Sequence, residues 1–251
     1  RTEALSLGKT AGWWNTIEAR DFDRDGDTDF IVGNLGLNSR LRASDSEPVH
    51  IYVGDIDGNN SLDQVLTYYN QGKSYPLLSR DQLIKQIPSL RRRFLKYDNY
   101  KDVTLDDIID PVMQSGFVKK VANTFSSVYI ENLGGKKFSI RNLPVDAQLF
   151  PIYAFCVDDI NNDGNDDILA VGNLDATQPE FGRYDAGRGI VMLGDGRGYF
   201  KAIDSQQSGF VVRGQGRDIK LINLPQHRTL YLVARNNDTI KGFKVDGRSR
   251  E

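Results

Sequence analysis

Apolar residues in this chain come in short runs rich in β-branched and aromatic side chains. Thr16-Ile17-Glu18-Ala19, Phe30-Ile31-Val32, His50-Ile51-Tyr52-Val53, Val65-Leu66-Thr67-Tyr68-Tyr69 and Ile152-Tyr153-Ala154-Phe155-Cys156-Val157 suit strands and are too short for helices. Val128-Tyr129-Ile130-Glu131-Asn132 and Ile190-Val191-Met192-Leu193 each run into glycines, Gly134-Gly135 and Gly194, Gly196 and Gly198, before Phe138 and Phe200. That pattern predicts two hairpins turning on glycine. One stretch has a helical period instead. Ser79-Arg80-Asp81-Gln82 is a capping-box start, followed by Leu83, Ile87, Leu90 and Phe94 on one face. Pro88 should kink or divide this helix. Thr104-Leu105-Asp106-Asp107 opens a second, short helix that should stop by Asp110, before Pro111. The expectation is a mainly β chain, one domain over 1–251, with a helical insertion at 77–122. Short strands in repeating sets point to a β-propeller or a related repeat sheet.

Three of the strand pairs enclose loops of one design. These are Asp21-Phe22-Asp23-Arg24-Asp25-Gly26-Asp27-Thr28-Asp29, Asp55-Ile56-Asp57-Gly58-Asn59-Asn60-Ser61-Leu62-Asp63 and Asp159-Ile160-Asn161-Asn162-Asp163-Gly164-Asn165-Asp166-Asp167. Each puts a carboxylate or amide oxygen at loop positions 1, 3, 5 and 9. Position 6 is glycine in the first and third loops and Asn60 in the second, and asparagine also tolerates a left-handed turn. So many carboxylates in nine residues repel one another unless a cation sits among them, and a hard cation such as Ca²⁺ accepts six to eight oxygens. The first and third loops run on into near-copies, Phe30-Ile31-Val32-Gly33-Asn34-Leu35 and Ile168-Leu169-Ala170-Val171-Gly172-Asn173-Leu174. The extra residue in the second copy reads as a bulge. An EF-hand would place glutamate at position 12 between helices; here Val32 and Ala170 stand there, between strands.

Net charge is only -2, which argues against a dedicated nucleic-acid binder, and no apolar stretch is long enough to span a membrane as a helix. The single cysteine, Cys156, excludes an intrachain disulfide and reads as a buried thiol. The start at Arg1, without methionine, is taken as the mark of a processed product or a piece of a longer parent chain. Arg91-Arg92-Arg93 reads as a solvated face, and Trp13, Trp14, Tyr68, Tyr69 and Tyr75 as packing groups rather than ligand platforms. His50 and His227 stand apart in sequence, and no nucleophile, P-loop or dinucleotide motif is present.

The acid loops, each with Val-Gly-Asn after it in the first and third copies, and the glycine hairpins ending in Phe138 and Phe200 resemble the integrin-type FG-GAP repeat and its bacterial VCBS relatives. Gly12-Trp13-Trp14-Asn15 and Gly182-Arg183-Tyr184-Asp185 look like the C-terminal part of large secreted VCBS-repeat proteins. The resemblance implies β-propeller-type blades, here a partial propeller of about three to four, with a compact four-bladed ring as the alternative. It implies side-chain ligation by Asp21, Asp23, Asp25 and Asp29 with the Asp27 carbonyl. For the second loop it implies Asp55, Asp57, Asn59 and Asp63 with the Ser61 carbonyl. For the third it implies Asp159, Asn161, Asp163 and Asp167 with the Asn165 carbonyl. Calcium is expected in the first and third loops, tightest in the first because it has most carboxylates, and the second is an additional candidate. Metal-free Asx-rich turns are the competing reading.

The function the resemblance implies is a non-enzymatic, calcium-stabilised module of a secreted or cell-surface protein, binding a protein or glycan partner. A location outside the cytoplasm, extracellular or periplasmic, suits calcium loops of this kind. Two other readings remain open. One is a calcium-dependent, polysaccharide-active enzyme using acids such as Asp175, Glu180 and Asp185 as a pair. The other is a structural fragment whose binding surface lies elsewhere.

Overall fold

Every apolar run named above as a strand forms one, and hydrogen bonding between the runs builds four antiparallel sheets. The structure is a computed structural model describing residues 5–110, 116–178, 181–225 and 228–245. Backbone contacts divide the chain into two compact units, one of Trp13–Arg40 and the residues from Phe125 onward, the other of Leu41–Thr124 with Lys9–Gly12.

The first unit begins with β1 (Thr16–Arg20) and β2 (Asp29–Gly33), a hairpin around the first acid loop. The chain then builds the second unit before returning. There β3 (Val49–Gly54) and β4 (Asp63–Asn70) enclose the second acid loop, and β5 (Lys73–Pro76) follows a tight turn at Gln71-Gly72, both at positive φ. Helix α1 (Arg80–Gln86) carries the expected capping box between Ser79 and Gln82. It ends where Pro88 opens a separate 3-10 helix, Pro88–Arg92. Leu83, Ile87, Leu90 and Phe94 are buried against Tyr52 and Val65 of the sheet. The second predicted helix is a single 3-10 turn, Leu105–Asp107, with Thr104 and Asp107 as its capping box; Pro111 lies outside the described residues. The segment 77–122 is not helical throughout: β6 (Val118–Ala122) pairs with β3 and completes the sheet β5-β4-β3-β6. Val118, Lys119, Lys120 and Val121 do not alternate and are exposed, so the sequence carries no period-two signal for this strand.

Back in the first unit, β7 (Val128–Asn132) pairs with β2 and forms a glycine hairpin with β8 (Phe138–Asn142), giving the order β1-β2-β7-β8. The strands β9 (Ile152–Asp158), β10 (Asp167–Gly172), β11 (Ile190–Gly194) and β12 (Phe200–Ile203) repeat this plan. An acid hairpin again precedes a glycine hairpin. The segment 173–189 stands where the first sheet has the whole second unit inserted. The expected bulge is present as a register shift at Val171/Gly172, where a Cβ on Gly172 would lie 1.7 Å from the Pro151 carbonyl oxygen. After a short helix α2 (Ser205–Ser208), β13 (Gln215–Leu224), β14 (Arg228–Asn236) and β15 (Lys241–Lys244) form a three-stranded sheet.

Strand β10 explains how these three sheets pack. Successive side chains point to opposite faces. Ile168 and Ala170 join Phe22, Ile31 and Tyr129 in one core, whereas Leu169 and Val171 join Ile219 and Tyr231 in another. Covered on both faces, β10 is buried at every position, which is why Ile168-Leu169-Ala170-Val171 is an unbroken apolar run after the buried Asp167.

Candidate metal centre

All three acid loops fold onto one frame of hydrogen bonds. The position 9 aspartates, Asp29, Asp63 and Asp167, are buried at 0%, 3% and 0% exposure. Their Oδ2 atoms accept the position 2 backbone N–H groups, from Phe22 at 3.2 Å, Ile56 at 3.1 Å and Ile160 at 2.9 Å. The position 1 aspartates accept the position 6 N–H: Gly26 to Asp21 at 3.2 Å, Asn60 to Asp55 at 2.8 Å and Gly164 to Asp159 at 3.0 Å. The position 5 side chains, Asp25, Asn59 and Asp163, accept the position 7 N–H of Asp27, Ser61 and Asn165 at 2.8, 2.7 and 2.7 Å. These bonds hold the position 1, 5 and 9 side chains before any ion arrives.

Backbone conformation repeats as well. Positions 4 and 6 are both left-handed: Arg24 and Gly26 at φ 64° and 94°, Gly58 and Asn60 at 74° and 62°, Asn162 and Gly164 at 59° and 86°. The second loop therefore has its glycine at position 4 and asparagine at position 6, the reverse of the third loop. The lack of glycine at position 6 does not set it apart.

Position 9 also fastens each acid hairpin of the first unit to its glycine hairpin. Asp29 Oδ1 accepts the Asn132 N–H at 2.8 Å and Asp167 Oδ1 accepts that of Gly194 at 2.9 Å, both at the ends of the next strand. Tyr129, itself 1% exposed, donates its hydroxyl to Asp29 Oδ2 at 2.6 Å, and burial together with that bond holds the phenol protonated far above its usual range. Asp27 Oδ2 accepts the Gly134 N–H at 2.8 Å, so its side chain braces the glycine turn. Sequence reasoning missed Tyr129 and these cross-links; the signal was the constant pairing of acid and glycine hairpins.

Two of the loops gather a ligand set. Carboxylate oxygens of Asp21, Asp23 and Asp29, and of Asp55, Asp57 and Asp63, lie within 4.8 Å of one another, and each triad could hold a metal ion. Asp25, expected as a fourth ligand, is outside the first triad and solvent-exposed. Asn59 and Ser61 flank the second triad in the loop bend. The donor chemistry fits a hard cation, and so does a deficit: Asp21 Oδ1 and Asp57 Oδ1 are buried and accept no hydrogen bond. A buried carboxylate oxygen without a donor is costly, and an ion would supply the missing positive charge. Burial first, and then the Asp29 charge, lifts Asp23 above the usual carboxylate range, and burial lifts Asp63 likewise.

The third loop is different. Its five expected ligands, Asp159, Asn161, Asp163, Asn165 and Asp167, keep the frame, but it forms no compact acidic triad among the described residues, Asn161 standing at position 3. The Asn161 amide donates to Asp163 Oδ2 at 2.9 Å. Asp163 is held below the usual range by the Asn165 N–H, then by that amide, with a smaller contribution from Arg24, while burial lifts Asp167.

The acids considered as a catalytic pair are tied up differently. Arg183 Nη2 lies 2.8 Å from Asp175 Oδ2 and Arg183 Nε lies 3.6 Å from Asp185 Oδ2, which puts one guanidinium on both. Glu180 and His227 lie outside the described residues. Trp13 packs edge-on against Phe125 at 5.0 Å, and Tyr68 faces Tyr75 across β4 and β5 at 6.4 Å. His50 is buried between Tyr52 and Tyr69, and burial lowers its pKa, with Lys119 adding to the effect.

No family model matches this chain, and no curated protein matches it.

Proposed function

We propose that the chain is a calcium-stabilised, non-enzymatic module of FG-GAP or VCBS type, acting outside the cytoplasm as a surface for a protein or glycan partner. The observation that carries the metal part is the pair of acidic triads, each with a buried, donorless carboxylate oxygen. Calcium rather than magnesium suits them: a nine-residue bend offering carboxylates and carbonyls adapts to calcium's larger, looser shell, whereas magnesium demands near-ideal octahedral geometry. Asp21, Asp23 and Asp29 would hold one ion, and Asp55, Asp57 and Asp63 a second.

The blade reading draws on the two four-stranded sheets of the first unit, built on one plan and sharing a core face to face. A propeller-type arrangement of such sheets, incomplete as a ring, is the architecture we assign. The Arg183 bridge across Asp175 and Asp185 favours the non-enzymatic reading, because acid–base catalysis needs carboxylates free to exchange protons with substrate. Isothermal titration of the chelator-stripped protein should show calcium binding that Asp21→Asn and Asp57→Asn each reduce by one ion, with magnesium much weaker. Absence of calcium heat in the unsubstituted protein would reject the metal reading. A glycan and protein-partner screen run with calcium and with chelator tests the binding role.

A further inference from the structure

Arg24 occupies position 4 of the first loop, yet its guanidinium lies over the third. Nη2 donates to the Gly164 carbonyl oxygen, at the bend between Asp163 and Asn165. The same nitrogen is 3.6 Å from where a Gly164 Cβ would stand, and Cζ is 3.8 Å from the corresponding point at Gly196 in the neighbouring glycine turn. The guanidinium therefore rests in van der Waals range of both turns. The base of the arm is fixed too. Arg20, where β1 enters the first loop, grips Asp166 through two bonds, Nε to Oδ2 at 2.9 Å and Nη2 to Oδ1 at 3.1 Å. Two arginines of one hairpin thus meet the third loop, one neutralising Asp166 and the other reaching its bend.

We infer that Arg24 is the resident cation of the third loop, a built-in counter-charge that keeps a divalent ion out of it. This rests on the cation reading of the first two loops. A guanidinium on the Gly164 carbonyl sets a permanent positive charge at the bend, felt by the Asp163 carboxylate, and any incoming dication is repelled by it. The loop keeps its hydrogen-bond frame without an ion, and the Asn161 amide already occupies one Asp163 oxygen. The first loop plays two parts: it gathers its own acidic triad, and it closes its sister site.

The test is ion stoichiometry, measured by equilibrium dialysis of the folded protein against calcium. Arg24→Asn removes the charge while keeping a residue suited to the left-handed backbone, since Asn162 stands at the matching position of the third loop at φ 59°. Arg24→Lys keeps the charge. The expected result is two ions in the parent protein and in Arg24→Lys, and three in Arg24→Asn. Adding Asp163→Ala to Arg24→Asn should return the count to two. Three ions in the parent, or two in Arg24→Asn with unchanged melting in chelator, overturns the role of Arg24 and leaves the metal reading of the first two loops standing. No ions in the parent overturns both.

Discussion

Asp29 shows how much one side chain does in this fold. It is fully buried and accepts from the Phe22 and Asn132 N–H groups and the Tyr129 hydroxyl. Asp29→Ala strands three donors, two of them buried, and denaturant unfolding in chelator should show a loss of about 3 kcal/mol or more. Asp25→Ala, at an exposed position outside the triad, should cost about 1 kcal/mol or less under the same conditions. Comparable losses for the two would contradict the division of labour between positions 5 and 9. Cys156 gives a second check at this scale. Burial pushes its thiol up to about 11, so at neutral pH it is protonated as well as enclosed. Thiol reagents should label it in denaturant and leave it unlabelled in the folded protein.

The hairpin is the element that repeats, and its chemistry was legible in the sequence to an uneven degree. Oxygen donors at positions 1, 3, 5 and 9 were plain, as was glycine at position 6. Left-handed backbone at position 4 was hidden, because Arg24 and Asn162 stand there in two loops and only the second has a glycine, Gly58. The sequence makes that loop only an additional candidate beside the first and third, yet it gathers an acidic triad and the third loop does not. The reason is side-chain chemistry at position 3, Asp57 against Asn161. Gly58→Ala meets open space, so its penalty is backbone strain alone, about 1–2 kcal/mol by thermal or denaturant unfolding. Asn60→Gly should change stability by only a few tenths of a kcal/mol. The turn at Gln71-Gly72 went unread because glutamine is not among the usual turn formers.

Across the whole molecule, local pattern gave the strands but not their partners. β2 and β7 are neighbours although the entire second unit intervenes in sequence, and no period-two signal records such a pairing. Their relation becomes visible only when the second meander, β9 to β12, supplies the template. Clustered carboxylates also give the chain a pH signature. Asp23, Asp63 and Asp167 bind protons more tightly folded than unfolded, so between the ordinary carboxylate pKa and their raised folded values the folded state carries more protons. Their contribution in chelator is therefore greatest at low pH and is lost as pH rises through that window. Asp163, with a depressed pKa, works in the opposite sense, its contribution being lost as pH falls through its folded value. Saturating calcium should flatten the first trend, because the ion replaces the proton as the partner of Asp23 and Asp63. The most direct test of the cation sites is thermal melting at neutral pH in chelator and in excess calcium. An ion bound only by the folded chain stabilises it in proportion to the logarithm of its excess over Kd. The prediction is a calcium-dependent rise in Tm that Asp21→Asn and Asp57→Asn each diminish; superimposable melting curves in chelator and calcium would contradict it.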